Sequence, residues 1–215
     1  MSMTFTSLKE DVKRYLERGT TATQDPAFIA QLPSLINFAE RRIAQELKIE
    51  GFINVVTGTF TVSEPVLAKP DRWRDTVSWA VGTGTGYNTR QMLYTRAYEY
   101  LGSYWPDRTA TDTPAFYADY DATHWLVAPT PDAPYPFEIL YYELPQLLSD
   151  SVETNWITEY APQLLLYATL LEAATFLKND ERVPTWQALY DRSAATLNGE
   201  DIAKILDRSA VRKEA

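Results

Sequence analysis

Three aspartates, Asp112, Asp119 and Asp121, stand close together in the chain. Two carboxylates are what glycoside hydrolysis needs, one to protonate the leaving oxygen and one to act as base or nucleophile. Aspartate is also a common turn residue, its side chain accepting from nearby backbone, and Asp121-Ala122 reads as a hairpin turn. A calcium loop fits less well, because Asp119-Tyr120-Asp121-Ala122-Thr123 lacks the glycine and the terminal glutamate of an EF-hand. His124 is the only histidine and there is no cysteine. A zinc site therefore has no ligand set to draw on, and disulfides and cysteine nucleophiles are excluded. No serine stands in a Gly-x-Ser-x-Gly context, so a Ser-His-Asp triad has no nucleophile elbow. Gly82-Thr83-Gly84-Thr85-Gly86 resembles a phosphate cradle in composition only. A dinucleotide fingerprint needs glycine at 87, where the chain has Tyr87, and then a helix, where the pattern reads as a strand. The residues predict no cofactor, no metal and no catalytic constellation beyond the aspartate cluster.

The elements that would hold these residues follow from periodicity. Residues 161–177 are apolar apart from Gln163, Thr169, Glu172 and Thr175. A helix apolar on nearly all sides must be surrounded by protein. The run is short for a membrane span and carries Glu172 near its middle, so it predicts a core helix and no membrane partner. Thr158 is the expected cap and Pro162 falls in the first turn, where its missing N–H costs nothing. Asn179-Asp180 reads as a turn and Asp180 as the cap of a second helix, whose apolar face is Val183, Trp186, Leu189, Tyr190, Ala194 and Leu197. Glu172, a charge within an apolar run, is expected to pair with an arginine of the second N-terminal helix or to face a subunit interface.

Toward the N-terminus, Ser7 to Glu10 has the spacing of a capping box, with Leu8, Val12, Tyr15 and Leu16 as the apolar face and Gly19 as a stop. Asp25-Pro26 opens a second helix. Its apolar positions Phe28, Leu32, Ile36, Ala39, Ile43 and Leu47 keep helical phase to an end at Gly51, with a break or kink expected at Pro33. Glu40, Arg41 and Arg42 read as a solvated face. After Gly51 the period becomes two. Strands are expected over 52–62, with Gly58 as a bulge or turn, along the alternating Val77, Trp79 and Val81, over 87–93, 115–120, 124–128 and 137–142, with a short helix near 96–104. Helices, strands, then helices read as α+β. The expected domains are a helical bundle from residues 1–51 and 149–198, pairing N-terminal helices with a C-terminal hairpin, an inserted antiparallel β subdomain at 52–148, and an arm at 199–215.

The chain has 215 residues, 45% of them hydrophobic, enough for a real core and with no low-complexity tract. The first residues show no apolar stretch of the signal-peptide kind. A net charge of −9 argues against a surface that grips phosphate backbones. Asn198-Gly199 reads as a helix stop. Beyond it Ile202, Ile205 and Leu206 make a narrow apolar stripe followed by Arg208 and Arg212, suited to a helix that folds into a partner's groove.

Several segments carry a family likeness. Thr154-Asn155-Trp156-Ile157, Leu164-Leu165-Leu166-Tyr167, Leu171-Glu172-Ala173-Ala174, Leu177 to Arg182 and Trp186 to Tyr190 resemble the C-terminal signature of phage head-to-tail adaptors of the tail tubular protein A-like or gatekeeper type. Residues 33–47 resemble the adaptors' Ala-Glu-x-Arg-Ile helix. Leu67 to Trp73 resembles their Leu-Pro-x-Asp-Phe segment imperfectly, since Ala68-Lys69 intervenes and Trp73 replaces Phe. Ile139 to Pro145 resembles the ending of their β region. The resemblance implies a structural protein of the virion neck or tail, assembled in the host cytoplasm. It implies a dodecameric homo-oligomeric ring beneath the portal protein, joined to a tail tube or nozzle protein, with double-stranded DNA passing through unbound. It also implies that the arm carrying Ile202, Ile205, Leu206, Arg208 and Arg212 grips the portal. A virion-associated carbohydrate-cleaving enzyme using Asp112, Asp119 and Asp121 is the alternative. On charge alone, the purified chain should retain duplex DNA no better than an acidic control protein in a filter-binding assay, whereas tight, salt-sensitive retention would overturn the conduit reading.

Overall fold

In the computed structural model, residues 3–17, 25–47, 50–177 and 181–211 are described, the side chains of residues 50 and 200–211 excepted. The chain divides into two compact units, Met1–Phe52 with Leu144–Ala215, and Ile53–Glu143. The first unit opens with α1 (Phe5–Tyr15) and α2 (Pro26–Glu46). The second runs β1 (Ile53–Thr59), β2 (Val66–Ala68), β3 (Trp73–Thr83), β4 (Thr89–Thr95), α3 (Tyr98–Tyr104), β5 (Thr111–Asp112), β6 (Phe116–Asp119), β7 (His124–Ala128), β8 (Thr130–Pro131) and β9 (Pro136–Glu143). The first unit is completed by α4 (Trp156–Tyr160), α5 (Pro162–Leu177) and α6 (Val183–Val211). The protein is α+β.

In the helical unit α5 is the common partner of α1, α2, α4 and α6. Its leucines at 164, 165, 166, 170 and 171 and its alanines at 168, 173 and 174 are all buried. Thr169 is buried too, and satisfies its hydroxyl by donating 2.8 Å to the Leu165 carbonyl one turn back. Around this pillar the caps differ from the expected ones by a few residues. Thr4 caps α1, its hydroxyl accepting from the Ser7 N–H while Ser7 Oγ accepts from the Thr4 N–H, so Ser7 is the inner member of the box. Asn155 caps α4, with Thr158 as its reciprocal partner, and α5 starts afresh at Pro162. Asp25 and Pro26 open α2 as expected.

Pro33 does not break α2, which runs 21 residues. One backbone hydrogen bond is missing there, and burial of Leu32, Leu35 and Ile36 on its flanks outweighs it. The helix ends at Glu46 with Leu47 as cap, before Gly51 is reached. At the other end α6 passes through Asn198-Gly199 without stopping. A single glycine inside a helix costs only about 1 kcal/mol, too little to end one. The stop at Gly19 and the turn at Asn179-Asp180 lie outside the described residues.

The β unit is a seven-stranded sheet ordered β1-β9-β3-β4-β6-β7-β2, beside a two-stranded pair β5-β8. It is mixed rather than antiparallel, because β4 pairs with β6 in parallel, as β5 does with β8. Parallel neighbours need a crossover, and α3 lies in the one between β4 and β6. The sheet curls around an aromatic core in which Trp79 meets Trp125 at 5.0 Å and Tyr117 at 4.9 Å between ring centroids. Phe60, Phe137 and Ile139 complete it. Both indole N–H groups are buried without an acceptor among the described residues.

Val77 does not share the face of Trp79 and Val81. The β3–β9 register slips between Thr76 and Ser78, which turns Val77 outward. Gly58 is neither bulge nor turn, since it pairs in register with Phe137. It is glycine because a Cβ there would stand 2.5 Å from the Phe137 ring.

The pillar generates a direct test. Leu170→Ala leaves a cavity in a site with no exposure, and should cost about 2–5 kcal/mol in urea unfolding. A loss under about 1 kcal/mol would mean that α5 is not packed within the monomer.

Candidate functional site

The three aspartates serve three different local structures. Asp121 Oδ1 accepts from the Thr123 N–H at 2.6 Å and from its hydroxyl at 2.9 Å, closing the β6–β7 turn. The Thr123 N–H holds the Asp121 carboxyl down at about 2, so it is an anion at working pH. A general acid needs the opposite shift. Asp119 pairs with Lys69 Nζ at 2.8 Å, and Asp112 accepts from the Thr113 N–H at 2.7 Å. His124 Nδ1 lies 3.0 Å from Asp121 Oδ2 and from Thr123 Oγ1, so the same turn absorbs it. In the 82–86 run, Gly84 and Gly86 take positive φ of 76° and 69°, supplying the turn between the antiparallel strands β3 and β4. A cleft of about 410 Å³ lies beside it, where both ends of the Arg90 guanidinium meet the Glu138 carboxylate at 3.0 and 3.2 Å.

The helical unit holds the charges that matter most to its assembly. Arg42 donates to Glu172 Oε1 at 3.0 Å and to Glu46 Oε1 at 3.1 Å, and the Tyr190 hydroxyl donates to the other Glu46 oxygen. The misfit charge of the pillar is thus paired with an arginine of α2, and the same cluster reaches α6. Glu40 does not lie on a solvated face: it has no exposure at all. Its Oε2 accepts from the Leu148 N–H at 3.0 Å, and its Oε1 accepts from the Asn155 amide. Asn37, with its amide turned to satisfy both ends, donates to the Leu148 carbonyl at 3.1 Å and to Glu40 Oε2 at 3.2 Å. Glu153 does for α1 what Glu40 does for α2, its two carboxylate oxygens accepting from the Thr6 N–H and hydroxyl at 3.0 and 2.8 Å. The segment between β9 and α4 is therefore stitched to both N-terminal helices by carboxylates. Spacing carried a signal for Glu40, which stands four residues after Ile36 and three before Ile43, on the buried face.

A family model for the SU10 adaptor protein matches residues 3–212. The chain belongs to the SU10 adaptor protein family. Membership agrees with the resemblance to phage head-to-tail adaptors and makes the adaptor a structural component of a phage virion. No curated protein matches the chain. Among the described residues, no helix of the adaptor is long and apolar enough to cross a membrane, and no three acidic or histidine side chains are grouped to hold a metal. Of the docking candidates, Ile202, Ile205, Leu206 and Arg208 fall on α6, whose backbone continues to Val211. Their side chains, and Arg212 altogether, lie outside the described residues. Sequence reasoning missed the arginine and tyrosine cluster around α3, although Arg96, Tyr98, Tyr100, Tyr104 and Arg108 are near neighbours in the chain.

Burial pushes the Glu40 carboxyl from 4.5 up to about 7, while the Leu148 N–H, the Asn155 amide and nearby Arg41 pull against that rise. Between those values the native chain keeps a proton that the unfolded chain has released. Stability must then fall as pH rises through this window and level off above it. Glu40→Gln should remove that slope, a difference on the order of 3 kcal/mol across the window by denaturant unfolding at a series of pH values. Parallel pH profiles for the two proteins would contradict the burial of Glu40.

Proposed function

We propose that the protein is a head-to-tail adaptor that forms a ring beneath the portal, extends the DNA channel and joins it to the tail tube or nozzle. The observation that carries this reading is the family match, which spans nearly the whole chain, the C-terminal segment included. In this reading the helical unit is a bundle in which α1 and α2 stand against the α5–α6 hairpin. Twelve copies close the ring after synthesis in the host cytoplasm. The net charge of −9 suits a conduit whose wall repels DNA and keeps it from sticking. The carbohydrate-cleaving alternative is the poorer fit, because Asp121, Asp119 and Asp112 are each held by a different neighbour, a turn, a lysine and a backbone N–H.

The end of α6 is the portal-gripping element of this reading. Its stripe of Ile202, Ile205 and Leu206 suits a groove on a partner, Arg208 stands in the last turn where the helix dipole favours a cation, and Arg212 follows in the sequence. The chain truncated after Asn198 should stay folded, because Trp186 and Tyr190, which anchor α6 in the helical unit, precede the cut. It should fail to attach to portal-bearing heads in a co-sedimentation assay. A folded truncation that attaches as well as the full chain would remove this role from the arm.

A further inference from the structure

Helix α3 buries Leu101 and leaves Tyr98 exposed on one flank and Tyr100 and Tyr104 on the other. Each flank carries a guanidinium lying over aromatic rings. Arg108 sits 5.9 Å over Tyr98 and 5.8 Å over Tyr120, and donates to the Tyr98 hydroxyl at 3.0 Å. Arg96 sits 5.8 Å over Tyr100 and 5.4 Å over Phe116. Tyr100 and Tyr104 stack within 8° of parallel at 5.9 Å, so their rings are held in place before any partner arrives.

The two arginines differ from their neighbours in lacking a carboxylate. In the same unit Lys69 is taken up by Asp119, Arg72 by Glu143 and Arg90 by Glu138. Among the described residues Arg96 and Arg108 have only aromatic rings and neutral oxygens for company. Conversely, Glu64 and Asp112 are exposed carboxylates with no cation beside them among the described residues. Exposed tyrosines with arginines beside their rings are the composition of interface hot spots, and a guanidinium without a carboxylate partner is ready for bidentate pairing with one.

We infer that this platform docks a second copy of the same chain through that copy's surplus carboxylates. A chain of net charge −9 presents acidic groups in excess, so each copy brings both the cationic platform and its complement. The contact joins different faces of the two copies and is head-to-tail, the type that closes into a ring when the rotation allows. A nucleic acid is the poorer fit, since a phosphate backbone calls for a stripe of many cations and the platform offers two. The inference rests on the ring of the adaptor reading and deepens it by naming one of its surfaces.

Sedimentation velocity of the purified full chain over a wide concentration range decides it. The expected result is reversible self-association that weakens as salt rises. Arg96→Ala with Arg108→Ala should weaken it by about tenfold or more, and Tyr100→Ala with Tyr104→Ala likewise, with unchanged circular dichroism. Tyr160→Ala, an exposed tyrosine of the other unit, should have no effect. The arginine pair keeps the test valid should the tyrosine variant misfold. A chain that stays monomeric at every concentration, or association indifferent to the arginine pair, overturns the inference. Retention of duplex DNA that vanishes in the arginine pair overturns it too, and makes nucleic acid the partner. Platform-dependent association in a chain that never enters virions would sink the adaptor reading and leave this inference standing. Virions that assemble normally with the arginine pair replaced would do the reverse.

Discussion

The buried carboxylate of Glu40 is the constraint on which the helical unit depends. The unit is made from two stretches of chain separated by the whole β unit, so closing it requires the second stretch to find the first. Glu40 provides that meeting point on α2, and its acceptors are filled by the Leu148 N–H and the Asn155 amide. Asn155 in turn spends its carbonyl oxygen on the Ile157 and Thr158 N–H groups, starting α4. One side chain of the first stretch therefore fixes where the helices of the second begin. An apolar residue at this position would leave the buried Leu148 N–H without its acceptor and the Asn155 amide with only the Gln146 carbonyl, an unmade bond that costs about 1–3 kcal/mol at the buried N–H.

What was legible in the sequence was whatever depends on local pattern. The pillar α5 announces itself because almost every residue is apolar, and Asp25-Pro26 marks the start of α2 because cap and first-turn chemistry are local. The strand His124–Ala128 was likewise read to the residue. What was hidden depends on partners distant in the chain. Val77 points outward because β3 slips against β9, which nothing in β3 itself encodes. The parallel pairing of β4 with β6 is hidden because a short helix near 96–104 does not by itself say which strands its crossover joins. Glu40 was misread because it sits in a run with Arg41 and Arg42, and charge runs are usually wet. Its helical spacing from Ile36 and Ile43 was the better guide.

The candidate chemistry dissolves for a related reason. Aspartates close together in sequence suggested cooperation, but the fold gives each to a different neighbour: a turn, a lysine, a backbone N–H. The charges that act together come instead from far apart, as Arg42, Glu46, Glu172 and Tyr190 bind α2, α5 and α6 into one cluster. A protein that spends its polar groups on joining elements, and leaves aromatic and arginine side chains outside, has the economy of a part built for assembly. Membership of the SU10 adaptor protein family gives that economy its setting in a phage virion.

The most direct measurement is electron microscopy of intact virions in which this chain carries a compact label. The account predicts label confined to the junction of head and tail, at the single vertex where DNA leaves. Label along the fibres or over the capsid shell, or virions that never contain the chain, would contradict it.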